Sequence, residues 1–171
     1  EAGFKLNEEA IYSVNSSSIK DAVIHFNGGC TASIISNEGL FITNHHCSVG
    51  AIQSHSSISK NYYKDGFWAK NKSEELQNKN MTATRIVRIE DVSSLIENAL
   101  KHQAGVISKE QLKNKLISEI IADAIKGTSF EAEIESYNYD NSYYLIVKEV
   151  FKDIRLVLAP PAEIGNFGGD T

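Results

Sequence analysis

Three apolar runs of strand length, separated by two turn sequences, crowd into residues 22–43. This spacing restricts the fold more than any other feature. Ala22 to Phe26 is predicted to be a strand, Asn27-Gly28-Gly29 a turn, and Cys30 to Ile35 a second strand. Asn37-Glu38-Gly39 turns again, and Leu40 to Thr43 forms a third strand. Strands this short and this close in sequence pair with their neighbours, which predicts a small β-barrel or sandwich.

The remainder of the chain extends that reading. Asn7 ahead of Glu8 and Glu9 predicts a short capped helix reaching about Ser13. The stretch from Ser54 to Asn80 is polar and is predicted to be a long loop, pinned by Tyr62, Tyr63, Phe67 and Trp68. Met81 to Ile89 has strand character. A helical insertion at about 92–127 follows. One helix is predicted over Val92–His102, and a second opens at Ser108, with Gln111 completing a capping box, and stops at Gly127. Leu112, Leu116, Ile120, Ile121 and Ala124 share one face of that helix and are predicted to pack on the barrel. After Gly127 the period becomes two, with Phe130, Ala132 and Ile134 alternating with Glu131, Glu133 and Glu135. Tyr143 to Val150 is predicted as the partner strand across an Asp140-Asn141 turn. Ile154 to Leu158 is a further strand, halted by Pro160 and Pro161. The class is mainly β with a helical insertion.

Charge narrows the partners. Seventeen Lys and Arg stand against 22 Asp and Glu, a formal net charge of -5, whereas nucleic acid and anionic membranes need a basic surface. No run approaches the roughly 20 apolar residues of a membrane span. Residues 1–20 lack the charged start and apolar run of a signal peptide. The first residue is Glu1 and the last stretch is Gly-rich, which predicts a segment of something longer or a chain that has lost a leader.

The two cysteines, Cys30 and Cys47, fit either one disulfide or two free thiols, and neither a four-ligand zinc knuckle nor a dense disulfide scaffold. Cys47 closes the segment Thr43-Asn44-His45-His46-Cys47, predicted at the end of a strand. This setting resembles that of the catalytic histidine in chymotrypsin-fold peptidases, where a neighbouring disulfide ties two adjoining strands. A general base must stay within about 3 Å of the proton it removes, and a covalent staple beside it limits its wandering. His46, next to the cysteine, is the candidate general base, and His45 is read as structural. A zinc site drawn from His25, Cys30, His45, His46, Cys47 and His55 is the rival, but adjacent residues of a strand point to opposite sides. No metal and no other cofactor is expected.

Several further blocks complete a pattern: Gly28-Gly29-Cys30-Thr31, Asp65-Gly66-Phe67-Trp68-Ala69, Arg88-Ile89-Glu90-Asp91-Val92, Asp153-Ile154-Arg155-Leu156-Val157, Ala159-Pro160-Pro161 and Ile164 to Thr171. With the histidine segment, in this order and from about Ile11 onward, they closely resemble the bacterial dipeptidyl peptidases 7 and 11. The chain departs from that pattern at Ser48, where the family usually has glycine, and at Ala32-Ser33, where it commonly has Gly-Glu. The resemblance implies a serine peptidase double β-barrel of chymotrypsin type, here the N-terminal barrel only, from a periplasmic, cell-surface or secreted bacterial enzyme. It implies release of dipeptides from peptide N-termini, a homodimer of the full-length protein, His46 as base and Cys30–Cys47 as a disulfide. It also places the catalytic aspartate and serine beyond this chain, so the fragment is expected to be inactive. Asp153, in an Asp-Ile-x-Leu setting, is the local rival for the acid; as an ordinary strand-end carboxylate it would pair with Lys152 or Arg155. Asp170 is read as shaping the Gly-rich turn. No Gly-x-Ser-Gly occurs, and Gly127-Thr128-Ser129 reads as a helix exit. The competing function is a binding module that kept the barrel and lost the nucleophile.

Overall fold

The computed structural model describes residues 3, 5–13, 18–101 and 108–167. They fall into two compact units, residues 1–84 with 151–171, and residues 85–150.

The first unit opens with a single helical turn, α1 (Glu8–Ile11), capped by Asn7 Oδ1 accepting from the Ala10 N–H at 2.9 Å. Strands β1 (Val23–Phe26), β2 (Cys30–Ile34) and β3 (Phe41–Thr43) then form an antiparallel meander. The tight β1–β2 connection works because Asn27 and Gly28 take positive φ, 49° and 77°, as such a hairpin demands. Alternation in β1 sends Ile24 and Phe26 inward and leaves Val23 and His25 exposed. Ile24 and Phe26 build a core with Ala32, Ala83 and Ile154, against which Cys30, Phe41, Cys47 and Met81 pack.

Helix α2 (His45–His55) follows β3 directly. Its Ile52 is 1% exposed and heads a second core with Leu156 and Ala159, flanked by Tyr62, Tyr63, Phe67 and Leu76. The expected long loop from Ser54 to Asn80 is therefore structured. It contains α3 (Tyr62–Asp65), β4 (Phe67–Trp68), a 3-10 turn (Lys72–Glu74) and β5 (Leu76–Asn78). Tyr62, Tyr63 and Phe67 do anchor it, but Trp68 is 65% exposed with Lys70 Nζ 4.5 Å above its ring. Phe67 and Trp68 are neighbours on a strand, so only one of them faces the core.

Strand β6 (Ala83–Asp91) begins beside β1, pairing Ala83 with Phe26 and Thr84 with His25, and continues into the second unit. There α4 (Ser93–Lys101) and α5 (Lys109–Ala124) precede β7 (Glu131–Tyr137) and β8 (Ser142–Phe151). The Ser108–Gln111 capping box opens α5, and Gly127, at φ 73°, follows its end. Its apolar stripe is half-buried against α4 and β7. Ile96 and Val147 are wholly buried, with Leu145 and Tyr143 nearly so. The turn joining β7 to β8 is longer than the expected Asp140-Asn141, because Asn138, Tyr139 and Asp140 all take positive φ.

Back in the first unit, the expected strand Ile154–Leu158 divides at Val157. Strand β9 (Ile154–Leu156) pairs with β5, and β10 (Leu158–Ala159) pairs with β4 before the two prolines end it. A last turn, α6 (Ala162–Gly165), closes the described part.

The architecture is mainly β with a few helices, but the expected barrel is not closed. The main sheet runs β3-β2-β1-β6-β8-β7, leaving β3 and β7 as edges among the described residues. Closure requires the first and last strands to hydrogen-bond to one another. No helix among the described residues is long and apolar enough to cross a membrane.

Two glycines test this packing in opposite directions. Gly50 lies in mid-α2 with open space where a Cβ would stand, so Gly50→Ala should raise the unfolding free energy by about 0.5–1 kcal/mol. Gly66 has φ 81°, and its Cβ would lie 2.9 Å from Pro161 Cδ and 3.0 Å from the Ala159 carbonyl. Gly66→Ala should lower stability by about 1–3 kcal/mol. Urea unfolding of each variant measures both.

Candidate active site

The histidine pair sits where β3 gives way to α2. Thr43 Oγ1 donates to the Thr31 carbonyl at 2.8 Å, holding the end of β3 to β2. Asn44 is extended, with φ -68° and ψ 148°, and is the N-cap of α2. His45, His46 and Cys47 are thus the first three residues of a helix, not the tip of a strand. The correction matters for direction. On a helix, neighbours are separated by about 100° rather than 180°. His46 is exposed, while His45 is half-buried, with its two ring nitrogens out of contact with solvent.

Cys30 and Cys47 are joined by a disulfide, with their Cα atoms 6.1 Å apart. The bond ties the first residue of β2 to the first turn of α2, where adjoining strands had been expected. A ring nitrogen of His46 lies within 4.8 Å of both sulfurs. Of the residues weighed for zinc, the structure gathers Cys30, His46 and Cys47. Sulfurs bonded to one another, however, offer no thiolate to a metal. His25 is exposed on β1, and His55 Nε2 lies 2.9 Å from Asn78 Oδ1 at the far end of α2.

The other sequence candidates lie elsewhere. Both carboxylate oxygens of Asp153 are taken by Arg155, through Nε at 3.0 Å and Nη2 at 2.7 Å, with Gln77 Nε2 at 3.4 Å. The Arg155 hydrogen bonds hold this exposed carboxyl below its usual range. Thr128 Oγ1 donates to the Ile125 carbonyl at 2.8 Å and accepts from the Phe130 N–H, so Gly127-Thr128-Ser129 is a helix exit. Asp170 lies outside the described residues. Sequence reasoning missed α2 itself, and it missed the contact of His45 with Gly165 and Tyr63. Gly165 belongs to a Gly-rich run that signals a turn, and nothing local marks one of its glycines as a contact.

A chain of this sequence and geometry has identifiable relatives. It matches the Peptidase S46 family over residues 1–171 and belongs to that family. It is 47% identical over 169 residues to an Asp/Glu-specific dipeptidyl-peptidase of Capnocytophaga gingivalis, covering 99% of this chain and 24% of that protein. With dipeptidyl-peptidase 7 of Porphyromonas endodontalis it shares 43% identity, covering 100% of this chain and 21% of the relative. Among solved structures it resembles DPP11 of Porphyromonas endodontalis in complex with the dipeptide Arg-Glu. The TM-score is 0.78 at 40% identity, over 98% of this chain and 26% of the other. The chain thus spans about a quarter of the length of these peptidases.

Two measurements probe the site. Breaking Cys30–Cys47, by reduction or by replacing both cysteines with alanine, releases a loop with a sequence separation of 17. The expected loss is about 3 kcal/mol of unfolding free energy in urea titrations with and without reductant. Any peptidase activity of a longer protein that carries this chain should change in kcat by less than about fivefold on Asp153→Asn, as befits a surface ion pair. Removing a triad acid's charge would instead cost about 10⁴-fold.

Proposed function

We propose that the chain is the N-terminal portion of a serine-type dipeptidyl peptidase that releases dipeptides from the free N-terminus of peptides, with His46 as its general base. One observation carries this reading. The exposed imidazole stands on the first turn of α2, beside the disulfide, in a chain that matches Peptidase S46 throughout. In such an enzyme the imidazole takes the proton of a serine hydroxyl as its oxygen attacks the scissile carbonyl. It then returns that proton to the leaving amine. A carboxylate on the other ring nitrogen sets the tautomer and stabilises the imidazolium.

Neither partner is assigned within this chain. It has no Gly-x-Ser-Gly, and Asp153 is engaged by Arg155. We assign the nucleophile and the acid to the part of the relatives' length that this chain does not span. Since a histidine alone does not perform acyl transfer, the 171-residue chain should be inactive by itself. The disulfide supports a location outside the cytoplasm, in the periplasm, at the cell surface or in the medium. The relatives at 47% and 43% identity carry the names of two different dipeptidyl peptidases, one of them Asp/Glu-specific. We therefore place the choice of substrate side chain in residues outside this segment.

The test is kinetic. The full-length protein should cleave fluorogenic dipeptide substrates with a free amino terminus and ignore their N-acetylated forms. His46→Ala should lower kcat/KM by about 10⁴-fold or more. Turnover that survives the substitution would remove His46 from the mechanism and leave a binding role for this segment.

A further inference from the structure

We propose that His45 is a positioning residue, seated against Gly165, that fixes the turn of α2 from which His46 projects. The inference rests on the reading of His46 as the general base. Its geometry is independent of that reading.

Both ring nitrogens of His45 are buried, and neither has a hydrogen-bond partner among the described residues. A buried polar group left unpaired is unfavourable, so hydrogen bonding does not explain why this ring lies here. Shape does. A Cβ built on Gly165 would lie 2.5 Å from His45 Cγ and 2.7 Å from Nε2, with Cδ2 closer still. Gly165 does not have a positive φ, so its backbone conformation does not require glycine. What it supplies is the absence of a side chain, and the imidazole fills that space. The Tyr63 ring, on α3, has its centroid 6.0 Å from that of His45, tilted by 33°.

The consequence follows from adjacency. His46 is bracketed, with residue 45 wedged against α6 and residue 47 bonded to β2. With residue 47 held by the disulfide, a shift of the His45 ring is passed to the backbone of His46, which lies between them. A displacement of about 1 Å in a catalytic group costs on the order of 100-fold in rate. The packing at residue 45 and the disulfide at residue 47 thus act together on the residue between them.

A double-variant cycle in the full-length peptidase tests this. Gly165→Ala should lower kcat by about 100-fold while KM moves by less than about threefold, because the reacting group is displaced and the binding surface is retained. His45→Ala in the same chain empties the space that the new methyl needs, and it should return at least about tenfold of the lost kcat. Losses that simply multiply across the two positions, or a Gly165→Ala enzyme within about threefold of wild type, would overturn the proposal. If Gly165→Ala does not fold, recovery of the folded state in the double variant supports the seat, and no recovery overturns it. His46→Ala runs alongside as the control for the catalytic reading. If that variant stays active, the base assignment fails, and coupling between positions 45 and 165 is then read from unfolding midpoints alone.

Discussion

A single covalent link between a sheet and a helix organises the candidate site. Cys30 begins β2, in the meander that packs Ile24, Phe26 and Ala32, and Cys47 lies in the first turn of α2. The N-cap, Asn44, makes no side-chain capping hydrogen bond, so the start of α2 rests on that bond and on the contact of His45 with Gly165. With the disulfide, the residue just before Cys47 is held close to a packed core while remaining open to solvent. A general base needs this combination, a fixed backbone together with an accessible ring.

The rest of the first unit supports α2 from the other side. Ile52 enters the second core, and Ser56, just past the helix, donates from Oγ to the Ile52 carbonyl at 2.9 Å and accepts from the Tyr63 N–H. α3 is thereby tied to the end of α2. The chain near Pro161 then approaches Gly66 closely, and Gly165 comes against His45. Each of these approaches depends on a missing Cβ. Two short segments, each too small to hold its place by burial alone, are positioned by contacts that larger side chains would block.

Membership of the Peptidase S46 family, and a span of about a quarter of its relatives, set the frame for this chemistry. The described residues hold one candidate catalytic side chain together with the scaffold that presents it. Asp153 shows how far local motif resemblance leads. Its sequence setting imitates that of a triad acid, yet both of its oxygens belong to an arginine two residues away. Partner geometry, rather than the tetrapeptide, assigns the role.

Much of the fold was legible from residue order alone. The meander over residues 22–43, the capped helix beginning after Ser108, the Glu-alternating strand after Gly127 and the proline stop all rest on local periodicity and turn chemistry, which sequence carries directly. The cysteine pairing was legible through the blocks shared with known peptidases, which also name His46 as the candidate base. Other features depended on contacts between residues far apart in the chain. These include the helical start at His45, the strands inside the apparent loop, the open edges of the sheet and the seat that Gly165 makes for a buried imidazole. No local signal encodes which strand a dipeptide such as Phe67-Trp68 will pair with, or which glycine in a run will meet a ring. Periodicity determines which face of an element is apolar, and only packing decides what that face touches.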